Sequence, residues 1–165
     1  MMTSLIKPTV HRNRSGKKRN MSLETKDKWT VSGFALGVLG TGLALSGGLL
    51  TLIIVLNKIA SVEYGNPSLS SQLMVALCGL ILGFAGVALF SSLGIWRQSV
   101  KGGALNFGIG IVLLTLGEGT VILLSDFVNS NPSLATFLSV IFIMIGVATT
   151  SSGVMGIIAH LTAKK

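Results

Sequence analysis

Charged residues are scarce in this sequence, and acidic residues are the scarcest. Only 11% of the 165 residues are Asp, Glu, Lys or Arg, and Asp and Glu together number 5. A soluble domain of this size carries roughly 25% charged residues. Half of the chain is hydrophobic and the mean hydropathy is +0.77, so most of the folded surface must contact something other than water. This composition predicts an integral membrane protein in contact with the lipid bilayer.

Residues that bind metals or act as nucleophiles are also rare. The single cysteine, Cys78, excludes an intrachain disulfide, and its apolar neighbours indicate a buried small side chain rather than a reactive thiol. The two histidines, His11 and His160, are far from Cys78 in sequence and show no metal-ligand spacing. No phosphate-binding loop, nucleophile motif or paired carboxylates are present. We therefore predict no cofactor, no metal and no enzymatic activity.

The basic residues are concentrated in one segment. Of the 13 Lys and Arg residues, those before the first apolar run are Lys7, Arg12, Arg14, Lys17, Lys18, Arg19, Lys26 and Lys28. Residues 1–28 lack apolar periodicity, so we expect a disordered basic tail that contacts anionic lipid headgroups rather than nucleic acid. A start at Met21 would remove most of these charges.

Four apolar runs follow the tail, at about 30–57, 71–96, 103–125 and 133–160. Each is long enough to cross a hydrocarbon core of about 30 Å. Residues 29–162 are therefore predicted to form an all-α, four-transmembrane-helix antiparallel bundle made of two helical hairpins. Residues 163–165 form a short basic end.

The distribution of charge predicts the orientation of the bundle. Four spans place both termini on one side, which receives 12 of the 13 Lys and Arg residues, whereas the other side receives Lys58 alone. Trp29 and Trp96 fall on the basic side, where they are expected to anchor the helices at the headgroup level. This bias predicts cytoplasmic termini.

Small residues recur four positions apart in the first two runs, a spacing that lets helix backbones approach closely in lipid. The residues in this pattern are Gly33, Gly37, Thr41, Gly40, Ala44, Gly48, Gly79 and Gly83. In the first run the pattern suits either a dimer interface or packing against another helix of the same chain, and we expect the second.

The tetrapeptide Asn-Pro-Ser-Leu occurs twice, at 66–69 and 131–134, before the second and fourth runs. Duplication of a two-helix hairpin would explain the repeat. A proline after a polar cap is also a favourable helix start in its own right. Both interpretations remain open at this point.

Glu118 is the one carboxylate that hydropathy places well inside a span. Burying an acid at the bilayer centre costs about 2.5–3.5 kcal/mol, so such a residue is a candidate functional site. Three roles fit: a neutral acid that hydrogen-bonds another helix, an ion- or proton-binding group, or a contact with a partner subunit. For the first role, the polar patch Thr149–Ser152 is the expected partner. His160, at the basic boundary, fits the role of a polar anchor, and Asn106 is a candidate hydrogen-bond partner for it across the bundle.

Short polar loops leave no exposed domain in which to build an active site. The sequence therefore predicts a non-enzymatic structural or accessory membrane protein, either a homo-oligomer or a small subunit of a larger membrane complex. The alternative is a small proton- or ion-coupled carrier that uses Glu118.

Overall fold

The computed structural model describes residues 28–62, 68–127 and 132–163. They form α1 (Lys28–Val62), α2 (Leu69–Trp96), α3 (Val100–Phe127) and α4 (Pro132–Ala163). All four helices are long and apolar enough to cross a membrane, and these three ranges contain no strand. The prediction of an all-α bundle of four membrane helices is confirmed. The predicted disordered tail lies, apart from Lys28, outside the described residues.

The ends of the helices follow from local sequence. The Ser68 hydroxyl caps α2 by accepting a hydrogen bond from the Ser71 backbone N–H at 3.3 Å. The second Asn-Pro-Ser-Leu starts its helix earlier, at Pro132, where the missing N–H of proline leaves no helical bond unmade. The two copies of the tetrapeptide thus both begin helices, but at different positions.

The four helices form an antiparallel ring in chain order. α1 packs against α2, α2 against α3, α3 against α4 and α4 against α1, and α2 also touches α4 across the centre. Because Trp29 is the second residue of α1 and Trp96 is the last residue of α2, both lie at the end of the bundle that holds the α2–α3 turn. We call this the tryptophan end. Trp29 is 42% exposed, and the Trp96 ring packs on that of Phe34 with centroids 4.9 Å apart.

Bulky apolar and small polar side chains share the interior. The largest buried apolar side chains include Phe142, Met74, Ile81, Leu113, Leu124 and Leu138, which lie from the middle of the bundle towards the end opposite the tryptophans, and Ile95, which is fully buried beside Trp96. The buried polar side chains include Thr30, Ser92 and Asn106 near the tryptophan end and Thr51, Ser71 and Thr120 further from it. Large apolar residues such as Leu39, Ile53 and Phe90 point outward, as expected for helices that face lipid acyl chains.

Four glycines of α1 lie where a neighbouring helix packs close to the α1 backbone. A Cβ atom at Gly33 would lie 3.1 Å from the Met155 Cβ atom, and one at Gly40 would lie 2.6 Å from the Thr149 hydroxyl. Gly37 likewise faces hydroxyls of α2 and α4, whereas Gly48 faces leucine and isoleucine side chains of α2. These α1 glycines therefore pack within the chain.

Gly79 and Gly83 differ from the prediction of close helix packing. A Cβ atom at either position would meet nothing within 4 Å among the described residues, and both glycines are exposed. The reason is the orientation of α2, which turns its Met74, Cys78 and Ile81 face towards the core.

The closest helix approach was not predicted from spacing. A Cβ atom at Gly103 of α3 would lie 2.8 Å from the Ile157 backbone nitrogen and 3.0 Å from the Gly153 carbonyl oxygen. Only residues without a side chain allow this contact between α3 and α4.

Candidate functional site

A buried amide joins all four helices near the tryptophan end. The Asn106 amide nitrogen of α3 donates to the Ser92 hydroxyl of α2 at 2.9 Å and to the Ser152 hydroxyl of α4 at 3.0 Å. Its amide oxygen accepts from the Ser91 hydroxyl. Ser152 then donates to the Gly33 carbonyl of α1 at 2.6 Å. We call these five residues the Asn106 network.

The Asn106 network satisfies its own hydrogen-bonding groups. The Ser92 hydroxyl donates to the Ala88 carbonyl at 2.8 Å while it accepts from Asn106. The Ser91 hydroxyl also lies 3.0 Å from that carbonyl. Asn106, Ser92 and Ser152 are fully buried. With its donors bonded to one another or to backbone carbonyls of the described residues, this cluster links the helices.

Thr149 is the buried polar side chain whose hydroxyl lacks a hydrogen-bond partner within the described part of the chain. It is fully buried and faces Gly40. The nearby Thr41 hydroxyl is already bound to the Gly37 carbonyl of its own helix. Within the Thr149–Ser152 patch, Thr149 therefore packs against Gly40 of α1, whereas Ser152 belongs to the Asn106 network.

The candidate bond between Asn106 and His160 is not present, because Asn106 is enclosed by serines. His160 instead contacts the Gln98 carbonyl oxygen through Nδ1 at 2.9 Å. A carbonyl oxygen only accepts hydrogen bonds, so Nδ1 of His160 is the donor in this contact. Gln98 sits in the left-handed backbone region with φ 58°, and its amide nitrogen lies 3.5 Å from the Thr30 hydroxyl. His160 thus helps to hold the α2–α3 turn.

Glu118 lies away from the Asn106 network, towards the other end of the bundle. It is nine residues before Phe127, the last residue of α3, which is about 13 Å of helix at 1.5 Å per residue. Its hydrogen-bond partner among the described residues is Ser139 of α4, whose hydroxyl lies 3.1 Å from one carboxyl oxygen and 3.4 Å from the other.

This partner differs from the expected Thr149–Ser152 patch. Ser139 precedes that patch by ten to thirteen residues on the same helix, a distance of about 15–20 Å. Because α3 and α4 run antiparallel, a residue late in α3 meets residues early in α4. The depth of Glu118 along α3 therefore excludes the patch.

Glu118 occupies the outward edge of the α3–α4 contact rather than the centre of the bundle. It is partly buried, and its helical neighbours Thr115 and Ile122 are exposed, with Ile122 63% exposed. Gly117, on the adjacent side of α3, faces the buried ring of Phe142. The carboxyl group consequently lies between the α4 surface and the outside of the bundle.

No group of three or more His, Cys, Asp or Glu residues within ranges 28–62, 68–127 and 132–163 is placed to hold a metal ion. Cys78 is fully buried, as its apolar neighbours predicted.

The fold defines the chain as a multi-pass helical membrane protein. A scan against protein-family models, a search of curated proteins and a search of solved structures each found no match to the chain.

Proposed function

We propose that this chain is a non-enzymatic structural or accessory membrane protein that assembles with itself or with a larger membrane complex. The observation that carries the proposal is the position of Glu118 at the outward edge of α3 and α4, with Ser139 as its hydrogen-bond partner. A carboxyl group is unfavourable at a surface covered by lipid alone. A protein partner at that edge would supply further hydrogen bonds and remove this cost.

The interior of the bundle also favours a structural role over transport. Ionisable groups that couple transport face the bundle interior or a water-filled cavity. Here the interior contains the Asn106 network, whose groups bond one another, and glycine contacts such as that between Gly103 and Gly153. These contacts hold the helices close together.

A proton- or ion-coupled carrier that uses Glu118 is the competing function. The specific observation in its favour is that Glu118 is only partly buried, so a proton or cation arriving from outside the bundle could reach it.

Flux measurements on purified protein in liposomes separate the two functions. Glu118→Gln keeps the size and hydrogen-bonding capacity of the side chain but removes its titration. Thr115→Val, one helical turn away on the exposed side of α3, is the matched control. We expect no proton or cation flux above that of empty liposomes for any variant. Flux that Glu118→Gln abolishes and Thr115→Val preserves would overturn the structural role.

We further propose that both termini are cytoplasmic and that the basic tail binds anionic lipid headgroups. The exposed Arg97 and Lys101 at the tryptophan end add to the positive charge on that side. Each Lys or Arg near an anionic surface contributes about 1 kcal/mol. A chain that begins at Met21 loses six of the basic residues, from Lys7 to Arg19.

Flotation with vesicles tests the proposed role of the tail. The membrane domain inserts into any bilayer, so the tail is tested without it. Two soluble peptides are compared, one of residues 1–28 and one of residues 21–28. We expect binding to phosphatidylserine vesicles for the longer peptide only, and loss of binding at high salt. Equal binding of the two peptides would contradict this role.

A further inference from the structure

We propose that the turn between α2 and α3 binds the phosphate of an anionic phospholipid through the side chains of Arg97 and Lys101. We call these two residues the basic turn. The inference places a lipid site on the bundle itself, separate from the tail. In the cell it rests on the proposed orientation, which directs the tryptophan end towards the cytoplasmic leaflet, where anionic lipids give the surface a negative potential.

Positive charge is concentrated at the tryptophan end of the described residues. Of their four Lys and Arg residues, Lys28, Arg97 and Lys101 lie at this end, and all three are exposed. Their two acidic residues, Glu118 and Asp126, come 17 and 25 residues after Lys101 on α3, which is about 26 and 38 Å of helix. Neither acid can therefore neutralise the basic turn.

The fold holds Arg97 and Lys101 close together. Arg97 directly follows α2, and Lys101 is the second residue of α3. The two helices touch next to the turn, since a Cβ atom at Gly94 would lie 3.1 Å from the Gly102 Cα atom. The Ser99 N–H also donates to the Gly94 carbonyl oxygen at 3.0 Å. Both cations thus belong to one tight connection.

Contacts from α1 and α4 fix the position of the turn. The Gln98 carbonyl oxygen accepts from Nδ1 of His160 at 2.9 Å, and the Gln98 amide nitrogen lies 3.5 Å from the Thr30 hydroxyl. A turn that is already fixed loses less conformational freedom when it binds a ligand than a mobile loop does.

The depth of the basic turn in the membrane matches that of the lipid phosphates. Trp29 and Trp96 lie at the same end of the bundle, and tryptophan rings settle at the headgroup level. A guanidinium group binds a phosphate through two parallel hydrogen bonds, and an ammonium group adds a point charge. In phosphatidylcholine the choline cation opposes this attraction, whereas phosphatidylglycerol has no such cation. The chemistry therefore fits an anionic phospholipid.

A role in orientation alone is the simpler explanation, because Lys and Arg in cytoplasmic loops direct insertion whatever they bind. That explanation requires no particular position for either residue. Lys101, however, lies in the first turn of α3, where its charge adds to the partial positive charge of the helix N-terminus. A phosphate bound at the basic turn would offset this repulsion.

Quenching of tryptophan fluorescence by brominated lipids tests the inference. Trp29 and Trp96 are the two tryptophans of the chain, so the signal reports on lipid at this end. The full-length protein is reconstituted in phosphatidylcholine with increasing fractions of brominated phosphatidylglycerol or brominated phosphatidylcholine. We expect about 5- to 30-fold selectivity for phosphatidylglycerol, since each Lys or Arg near an anionic surface contributes about 5-fold.

Substitutions in the basic turn should lower this selectivity. Arg97→Gln and Lys101→Gln should each reduce it about 5-fold, whereas Arg97→Lys retains the charge and should retain most of the selectivity. Lys58→Gln is the matched control, because it removes one positive charge at the opposite end of the bundle. It should leave the selectivity unchanged.

The full-length chain with Lys17, Lys18 and Arg19 all replaced by glutamine separates the basic turn from the tail, and it should remain selective. Equal quenching by the two lipids in the wild-type protein would overturn the inference. So would selectivity that survives both Arg97→Gln and Lys101→Gln, or selectivity that the tail substitutions abolish. Displacement of the lipid by excess inorganic phosphate would assign the turn to a soluble anion and overturn it as well.

These outcomes differ from those that would refute the proposed function. Quenching in liposomes reports on the basic turn in either orientation of the chain, so absence of selectivity refutes this inference alone. Equal flotation of the two tail peptides refutes the contact between tail and lipid but leaves the basic turn standing. Digestion of the tail by protease added outside intact cells would refute the orientation without changing the selectivity in liposomes.

Discussion

Removing the Asn106 side chain should destabilise the bundle more than removing any single hydroxyl that bonds only its own helix. Asn106→Ala deletes hydrogen bonds to Ser91, Ser92 and Ser152. At about 0.6 kcal/mol for each interhelical hydrogen bond, the loss is about 2 kcal/mol, and a cavity where the amide was would add to it. The serines retain backbone acceptors at Ala88 and Gly33, so no hydroxyl is left without a partner.

Thr120→Val is the matched control for this prediction. Thr120 is also fully buried on α3, but its hydroxyl donates at 2.7 Å to the Leu116 carbonyl of the same helix. Its removal breaks no contact between helices, and valine fills the same space. We expect a change in the free energy of unfolding below about 0.5 kcal/mol, the usual range for a substitution that disturbs no packing.

Unfolding of purified protein in mixed micelles of increasing SDS content measures both variants. Helix separation changes the fluorescence of Trp96, which packs on Phe34. A coupling energy of about 0.6–1.7 kcal/mol is expected in a double-mutant cycle between Asn106→Ala and Ser152→Ala. If Asn106→Ala destabilises the bundle no more than Thr120→Val, the Asn106 network is not what joins the helices.

Three further predictions use the same unfolding measurement. Gly103→Ala should destabilise by about 1–3 kcal/mol, since its Cβ would press on α4 backbone, whereas Gly108→Ala should be neutral or stabilising by up to about 1 kcal/mol because its surroundings are open. Gln98→Gly should stabilise by up to about 1 kcal/mol, since glycine adopts a φ of 58° without steric cost. His160→Ala should destabilise by about 0.5–1.5 kcal/mol through loss of its bond to the Gln98 carbonyl.

Each of these predictions has a result that would contradict it. Equal effects of Gly103→Ala and Gly108→Ala on the free energy of unfolding would show that α3 and α4 leave room for a methyl group at Gly103. Destabilisation by Gln98→Gly would mean that the contact between its amide and Thr30 outweighs the backbone preference. His160→Ala should lower the free energy of unfolding equally in the wild-type and Gln98→Gly backgrounds, because both retain the Gln98 backbone carbonyl that His160 contacts. Loss of the effect of His160→Ala in the Gln98→Gly background would contradict this prediction.

The number and type of helices followed from the sequence, because hydropathy and length report directly on the solvent that each segment faces. The packing of the α1 glycines could also be predicted, since small residues at every fourth position lie on one side of a helix. The same spacing at Gly79 and Gly83 was misleading. Spacing identifies a narrow helix face, but only the rotation of α2 in the bundle decides whether that face meets another helix or the outside.

Partners in the interior were the harder problem. Asn106 and Glu118 stood out as polar residues within apolar runs, which is a local property. Their hydrogen-bond partners, Ser152 and Ser139, depend on the vertical offset between α3 and α4, and no local pattern encodes that offset. A short turn specifies antiparallel neighbours without specifying how far one helix slides along the other.

The sequence by itself determined that this is a four-span membrane protein with one intramembrane acid, because the cost of exposing polar groups to lipid acts on each segment separately. Only the tertiary structure decided that Asn106 lies inside the bundle and Glu118 at its outward edge. The physical reason is that helix rotation and offset are set by the packing of all four helices at once, with the Gly103–Gly153 contact bringing α3 and α4 together.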